Sequence, residues 1–380
     1  MKQLLIIGAG PYGLALAAYA KHHGMDFLLA GRPMEFWHRH MPRGMYLRSG
    51  ADWHLDPLAI HTLDAYLAKK GLDPAQVNPI PVALFQKYAQ WFQEKYDLQA
   101  QSDFVLEFRK IDGGYEAHLE SGERVAAANV VAALGFGFFK NIPDEFAKKI
   151  PAGRYSHTCD TVDFDFLRGR NCLVIGGRQS AYESAALINE NGGGEIHISH
   201  RHVAPKFSPS DWSWTQDLVR ATAQNPGWFR RLSPGEQETI RQRFWAEGRL
   251  KLEPWLGPRI AKSNIHLWPN TALVDCTVLP DDRMRAGLDN GASFDIDHII
   301  LATGYRVDMN HVPYLSSESI LPRLNIVDGY PVLDESFQSN LPGLFFTGLP
   351  ATRDFGPFFG FVVGSTVTAK IIVERIRASA

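Results

Sequence analysis

One local pattern occurs twice in this chain and constrains its fold more than any other feature: a short apolar run, a glycine turn and a helix-forming stretch. In the first copy, Leu4-Leu5-Ile6-Ile7 reads as a strand buried on both faces. Gly8-Ala9-Gly10-Pro11-Tyr12-Gly13 follows, then an alanine-rich helix over 14–21 and a second strand, Phe27-Leu28-Leu29-Ala30. The second copy runs Cys172-Leu173-Val174-Ile175, Gly176-Gly177-Arg178-Gln179-Ser180-Ala181 and a helix over 182–190. Gly192-Gly193-Gly194 stops that helix, and Ile196-His197-Ile198-Ser199 supplies the next strand. Two βαβ starts of this kind predict an α/β chain with two Rossmann-like dinucleotide-binding domains.

Each glycine of the first turn has a mechanical task. Gly8 permits the tight turn, Gly10 lets the backbone approach a pyrophosphate because it lacks a Cβ, and Gly13 allows close helix–strand packing. The partial positive charge of the following helix N-terminus then holds phosphate. The acidic residue that normally closes the second strand and binds ribose is missing, since the segment reads Ala30-Gly31-Arg32-Pro33. Either Glu35 takes that task or Arg32 does so through its backbone. In the second turn Arg178 replaces the middle glycine. Its guanidinium either lies on phosphate oxygens or is exposed beside a structural turn. Downstream, Ser199-His200-Arg201-His202 places a cation where a 2′-phosphate sits, so Ser199 and Arg201 point to NADPH over NADH; the ordinary alternative is an exposed loop arginine.

Two further strands end on glycine, Val130-Val131-Ala132-Ala133-Leu134-Gly135 and Ile299-Ile300-Leu301-Ala302-Thr303-Gly304-Tyr305, at points where the chain can cross between domains. The expected division is therefore one domain from 1–150 and 297–380, and a second from 151–296. Six of the nine tryptophans fall between 205 and 268, at 212, 214, 228, 245, 255 and 268. That stretch is expected to be a helical insertion, which buries its own aromatics, lids the active site, or does both.

Charge and composition close off several function classes. Lys plus Arg is 39 against 41 for Asp plus Glu, a net −2, which gives no support to a nucleic-acid or anionic-membrane partner. Cys159, Cys172 and Cys276 form no CxxC, which argues against a disulfide framework, a zinc knuckle and a dithiol redox enzyme. The 14 histidines complete no ligand set, and no GxSxG, HExxH or EF-hand pattern occurs, so no metal is expected. No export signal and no apolar run of roughly 20 residues stands out, and a cytoplasmic protein is expected.

With these motifs in view, the chain resembles the two-dinucleotide flavoprotein monooxygenases, the flavin-containing group with its N-hydroxylating and Baeyer–Villiger relatives. Gly8 to Gly13 is similar to that family's FAD turn and Gly176 to Ala181 to its NADPH turn. Leu301-Ala302-Thr303-Gly304-Tyr305 resembles its ATGY crossover. Gly153-Arg154-Tyr155-Ser156-His157-Thr158 resembles its fingerprint, with Pro151 and Thr161 standing where the family has aromatics. Pro81, Phe85, Tyr88 and Trp91 match the spacing of a stretch shared with the N-hydroxylases, and 45–57 is similar to their flavin-flanking loop. Phe345-Phe346-Thr347-Gly348-Leu349 resembles the monooxygenase branch where disulfide reductases carry Gly-Asp.

The resemblance implies FAD in the domain of 1–150 and 297–380 and NADPH in that of 151–296. It implies that NADPH reduces the flavin, that O₂ adds as a C4a-peroxyflavin, and that one oxygen atom passes to a soft nitrogen or sulfur nucleophile of a small substrate. The implied cofactor contacts are Gly8, Gly10, Pro11, Tyr12, Gly13, Arg32, Glu35, Trp37, Arg48, Thr303, Gly304, Gly348, Leu349 and Phe358, with Gly176, Gly177, Arg178, Gln179, Ser180, Ser199 and Arg201. The turn at 356–360 is expected to start the last helix and aim its amides at the flavin. Arg48, Ser49 and Trp53 are candidates for the catalytic face and for excluding water from it. Three alternatives stay open: an N-hydroxylase of an amine or amino acid, an NADPH-dependent flavin oxidoreductase without oxygen insertion, and a non-catalytic dinucleotide-binding sensor. An oligomer is possible.

Overall fold

The computed structural model describes residues 1–379. Its first sheet has seven strands. Ala100–Gln101, Phe27–Ala30, Lys2–Ile7 and Arg124–Ala132 lie side by side in parallel. Leu344–Phe346 adds in parallel to the C-terminal half of Arg124–Ala132, and the antiparallel ribbon Val105–Ile111 and Gly114–Leu119 extends from its N-terminal half. Leu4, Leu5 and Ile6 are almost wholly buried, as a strand covered on both faces requires. The helix that follows, Pro11–His22, packs its alanines against this sheet; at 12 residues it is longer than the expected 14–21 because Pro11 is a favourable first helical residue.

The second sheet is a parallel set of five in the order Ile265–Pro269, Ile196–His200, Cys172–Ile175, His298–Leu301, Tyr155–His157. A separate antiparallel meander, Leu273–Val278, Met284–Leu288 and Ser293–Ile296, precedes its fourth member in the chain. His298–Leu301 belongs to this second sheet, so the chain returns to the first only after Leu301 and not at 297. A four-residue apolar strand reads the same in either sheet, which is why its register was not legible.

Two segments carry the chain between sheets, and they are laced together. Asn141 donates its backbone N–H to Gly304 O at 2.9 Å, Arg306 donates to Phe139 O at 2.8 Å, and Thr303 Oγ1 donates to Asn141 O. Buried His157 adds a bond from Nε2 to Gly304 O at 3.0 Å while Cys159 lies 3.0 Å from its Nδ1. Burial lowers the pKa of this histidine, which suits a neutral ring with one donor and one acceptor nitrogen.

The expected insertion is helical over Ser213–Gln224, Trp228–Arg231 and Pro234–Arg249, the last opened by a Ser233–Glu236 capping box. It ends sooner than 268, because Trp268 lies on the edge strand of the second sheet. Trp214 and Phe244 join the core of the first domain, and Phe244 meets Phe361 at 5.4 Å. Trp245 remains 46% exposed, so the aromatics divide between core and surface.

The expected last helix is also corrected. Pro357–Gly360 and Val362–Gly364 are short 3₁₀ turns, and the α-helix begins at Ser365 and runs to Arg377. Pro357 and the glycines at 356, 360 and 364 interrupt the helical run. No helix among the described residues is long and apolar enough to cross a membrane.

Candidate functional site

Both glycine turns sit at the C-terminal edge of a parallel sheet, where open α/β folds bind ligands. In the first turn, Gly8 has φ +107°, and a Cβ there would lie 2.4 Å from Ala133 O. At Gly13 a Cβ would come within 1.8 Å of Gly8 O. These two glycines are demanded by the protein's own backbone. Gly10 differs: it is the N-cap of the helix, and a Cβ there would meet nothing within 4 Å. Its missing side chain leaves open space directly over the helix amides, which is the cradle a pyrophosphate needs. Thr347, at the end of the strand Leu344–Phe346, is fully buried with no hydrogen-bond partner for Oγ1 among the described residues. An orphaned hydroxyl at this edge also fits a polar ligand.

Around this turn, Tyr12 donates its hydroxyl to the carbonyls of Phe359 and Phe361, tying the cradle to the C-terminal segment. Gly348 has φ +72°, a Cβ there would lie 3.9 Å from the Tyr12 ring, and Leu349 starts the next turn. Phe358 is fully buried, so its side chain packs into the core. Arg32 pairs with Glu35 at 3.8 Å and Glu120 at 3.2 Å and lies 4.4 Å over Phe104. The two alternatives for the ribose are therefore partners of each other. Trp37 packs on Phe85 at 4.8 Å.

The second turn repeats the backbone. Gly176 has φ +148°, and a Cβ would approach Ala302 O to 2.6 Å; at Gly177 a Cβ would strike His200. His200 is buried beneath the turn, its Nδ1 bonded to His202 O and its Nε2 3.0 Å from the Tyr182 hydroxyl. Burial, then the neighbouring His202, pushes its pKa down to about 4. Arg178 is the N-cap in extended conformation, and its guanidinium lies 3.7 Å over the Trp245 ring. Ser180 is exposed in the first helical turn. Ser199 is buried, its hydroxyl 3.0 Å from Thr271 Oγ1, whereas Arg201 is 74% exposed and 3.6 Å from Glu145.

The 45–57 loop is held by residues of the 80–96 segment. Leu47 donates to Ile80 O and Val82 to Met45 O, and Tyr88, in the helix Val82–Tyr96, bonds both Leu55 N and His61 O at 3.0 Å. Asp56, 1% exposed, accepts from the amides of Leu58, Ile60 and His61 and from the Tyr96 hydroxyl. Arg48 leaves this loop for the insertion. It pairs with Glu253 at 3.0 Å and donates to the carbonyls of Gly248, Glu247 and Lys251 and to the Ser210 hydroxyl. Trp53 meets Trp212 edge-on at 6.2 Å, and Asp52 accepts from Gln216 at 2.8 Å. Ser49 is half-buried. The Arg48 guanidinium is thus occupied as a clamp.

Sequence reasoning missed Glu253, Glu183, Asp56, Thr347 and the role of Trp245. Glu183 has a visible signal: it is an acid in the 182–190 helix set between Tyr182 and Ser184 and followed by the apolar run Ala185-Ala186-Leu187-Ile188. Its carboxylate accepts from Tyr46 N at 2.8 Å, joining the loop of the first domain to a helix of the second.

The fold has counterparts among known proteins. A FAD-dependent urate hydroxylase of Xanthomonas campestris pv. campestris is 25% identical over 199 residues, 48% of this chain and 42% of that protein. The chain spans about half the length of the curated relatives it matches. Among solved structures, an ornithine N-hydroxylase of Kutzneria sp. 744, determined with reduced FAD, NADP+ and L-ornithine, superposes with a TM-score of 0.78 at 14% identity, covering 100% of this chain and 99% of that one. An ornithine hydroxylase of Pseudomonas aeruginosa gives 0.78 at 17% identity, covering 99% of each. At these identities the likeness is one of fold, and it extends the two-domain α/β arrangement over the whole chain. The pyridine nucleotide-disulphide oxidoreductase family matches residues 5–220, spanning both glycine turns, and this chain belongs to that family.

Proposed function

We propose that this chain is an FAD-containing, NADPH-dependent monooxygenase that N-hydroxylates a small amine or amino acid. The observation that carries the reading is the pair of cradles, one of them opened by Gly10 over a 12-residue helix, in a fold shared end to end with two ornithine hydroxylases. The cysteines support oxygen insertion over dithiol exchange, since Cys159, Cys172 and Cys276 are free and burial pushes the Cys159 and Cys276 thiols up to about 11. Free thiols also suit a reducing cytoplasmic compartment.

When bound, FAD reduced by NADPH supplies the activation of O₂. The chain's own residues bind, orient and exclude. Gly10 and the amides behind it hold the FAD pyrophosphate, and the helix after Arg178 holds that of NADPH. Arg201 reads the 2′-phosphate, being the exposed cation after the strand Ile196–His200. Arg48, Trp53 and Trp212 seal the flavin-flanking loop against the insertion and keep water out. A substrate panel of diamines, basic amino acids, sulfides and urate, scored by NADPH consumption and product mass, tests the reading. Amine-stimulated consumption with a product heavier by one oxygen atom supports it; a sulfoxide or a hydroxylated purine as the sole product contradicts it.

A further inference from the structure

The two glycine turns differ at one position, and that difference has a destination in the structure. Gly10 and Arg178 occupy the same place, the extended N-cap residue of the helix that follows. At Gly10 the Cβ direction leads into open space, with no protein atom within 4 Å. The corresponding direction at Arg178 carries a side chain out over the cradle, and its guanidinium comes to rest 3.7 Å over Trp245 of the insertion helix Pro234–Arg249. Trp245 is 46% exposed although it lies on a packed helix, so it stands at the rim of the second cradle.

The segment that bears Trp245 is gripped from both domains. Gln179, the next residue of the turn, accepts from Glu253 N at 3.1 Å. From the first domain, Arg48 holds the carbonyls of Glu247, Gly248 and Lys251 and the Glu253 carboxylate. One stretch from 245 to 253 is therefore fastened to the nucleotide turn at each end and to the flavin-flanking loop in between.

Resting on the proposed NADPH site, we propose that Arg178 is a specificity and positioning residue that trades partners: it stacks on Trp245 in the absence of dinucleotide and transfers to the pyrophosphate when the dinucleotide binds. A partly exposed cation–π contact is the weaker partner, and a planar guanidinium on two phosphate oxygens is the stronger. The exchange ends the Arg178–Trp245 contact at the rim and so reports occupancy of the second cradle to the segment that Arg48 holds. Trp245 accordingly competes with the ligand for Arg178.

The test is calorimetric titration of the purified holoprotein with NADP+, alongside tryptophan fluorescence, on wild type, Arg178→Ala and Trp245→Leu. Removing the competitor, Trp245→Leu binds NADP+ about two- to fivefold more tightly. Removing the phosphate ligand, Arg178→Ala binds about tenfold or more weakly. The wild-type fluorescence change on titration is diminished in Trp245→Leu. Arg178→Lys, which keeps the charge and the fold but not the planar fork, falls between wild type and Arg178→Ala. Weaker binding by Trp245→Leu, or unchanged binding by Arg178→Ala while wild type binds, overturns the proposal and leaves the NADPH reading standing. A wild-type protein that binds neither NADP+ nor inorganic pyrophosphate overturns the NADPH reading as well.

Discussion

Tyr46 donates its backbone N–H to a Glu183 carboxyl oxygen at 2.8 Å, joining a loop of the first domain to a helix of the second. Glu183 is 3% exposed, and burial pushes its pKa up to about 7 against the opposing effects of the Tyr46 amide, Arg259, Gln179 and Arg48. The folded state thus keeps a proton that the unfolded chain gives up above about pH 4, and stability falls as pH rises through about 7, by up to roughly 3 kcal/mol. Glu183→Gln keeps an acceptor for Tyr46 and removes the titration. Unfolding measured near pH 5 and near pH 8 should show the variant gaining on wild type at the higher pH; a difference that does not change with pH argues against a protonated Glu183.

Arg48 ties the same loop to the insertion, alongside the Asp52–Gln216 bond. Its side chain is 17% exposed and its pairing carboxylate on Glu253 13%, so deleting the guanidinium strands several carbonyls and a half-buried acid. Arg48→Ala should cost about 2–3 kcal/mol of stability and expose the insertion to proteolysis at 213–249. Arg48→Lys should recover little, because a lysine cannot reach this fan of acceptors at once. Limited proteolysis with denaturant melts checks both, and a Lys variant as resistant as wild type contradicts the clamp.

The first glycine turn separates folding from binding. Gly13→Ala would push a Cβ into Gly8 O and should prevent a stable first domain, whereas Gly10→Ala meets no protein atom and should fold. The Gly10 variant should nonetheless purify with little FAD, because its methyl group occupies the pyrophosphate's approach. Circular dichroism and flavin content of the two variants give the readout; full flavin in Gly10→Ala would remove this cradle from the account.

Arg201 is exposed and only loosely paired, at 3.6 Å from Glu145. Arg201→Ala should therefore leave stability unchanged and weaken NADPH about tenfold or more with little effect on NADH. Equal losses for the two nucleotides would show that another residue reads the 2′-phosphate.

Much of this was legible locally. Strand runs such as Leu4 to Ile7 and Cys172 to Ile175, and glycines needed by their own turns, depend on neighbours within a few residues, and both appear where the patterns predict them. The Pro81, Phe85, Tyr88 and Trp91 spacing was legible as a motif, but its use was not. Tyr88 works by bonding Leu55 and His61, partners that only the fold brings near. Arg48 reads as a candidate at a reactive face and is found about 200 positions away in sequence from the carbonyls it holds. Pairings of that range leave no periodicity in the chain. The 3₁₀ turns before Ser365 escaped for the opposite reason: a phenylalanine-rich run resembles a helix start until its proline and glycines are given their geometric weight.

The two cradles must deliver a nicotinamide to a flavin, and anaerobic mixing with NADPH measures that directly. The purified yellow protein should lose its flavin absorption on addition of NADPH and regain it when air is admitted. Protein that carries flavin and binds NADPH, yet keeps its full absorption without oxygen, would contradict the account.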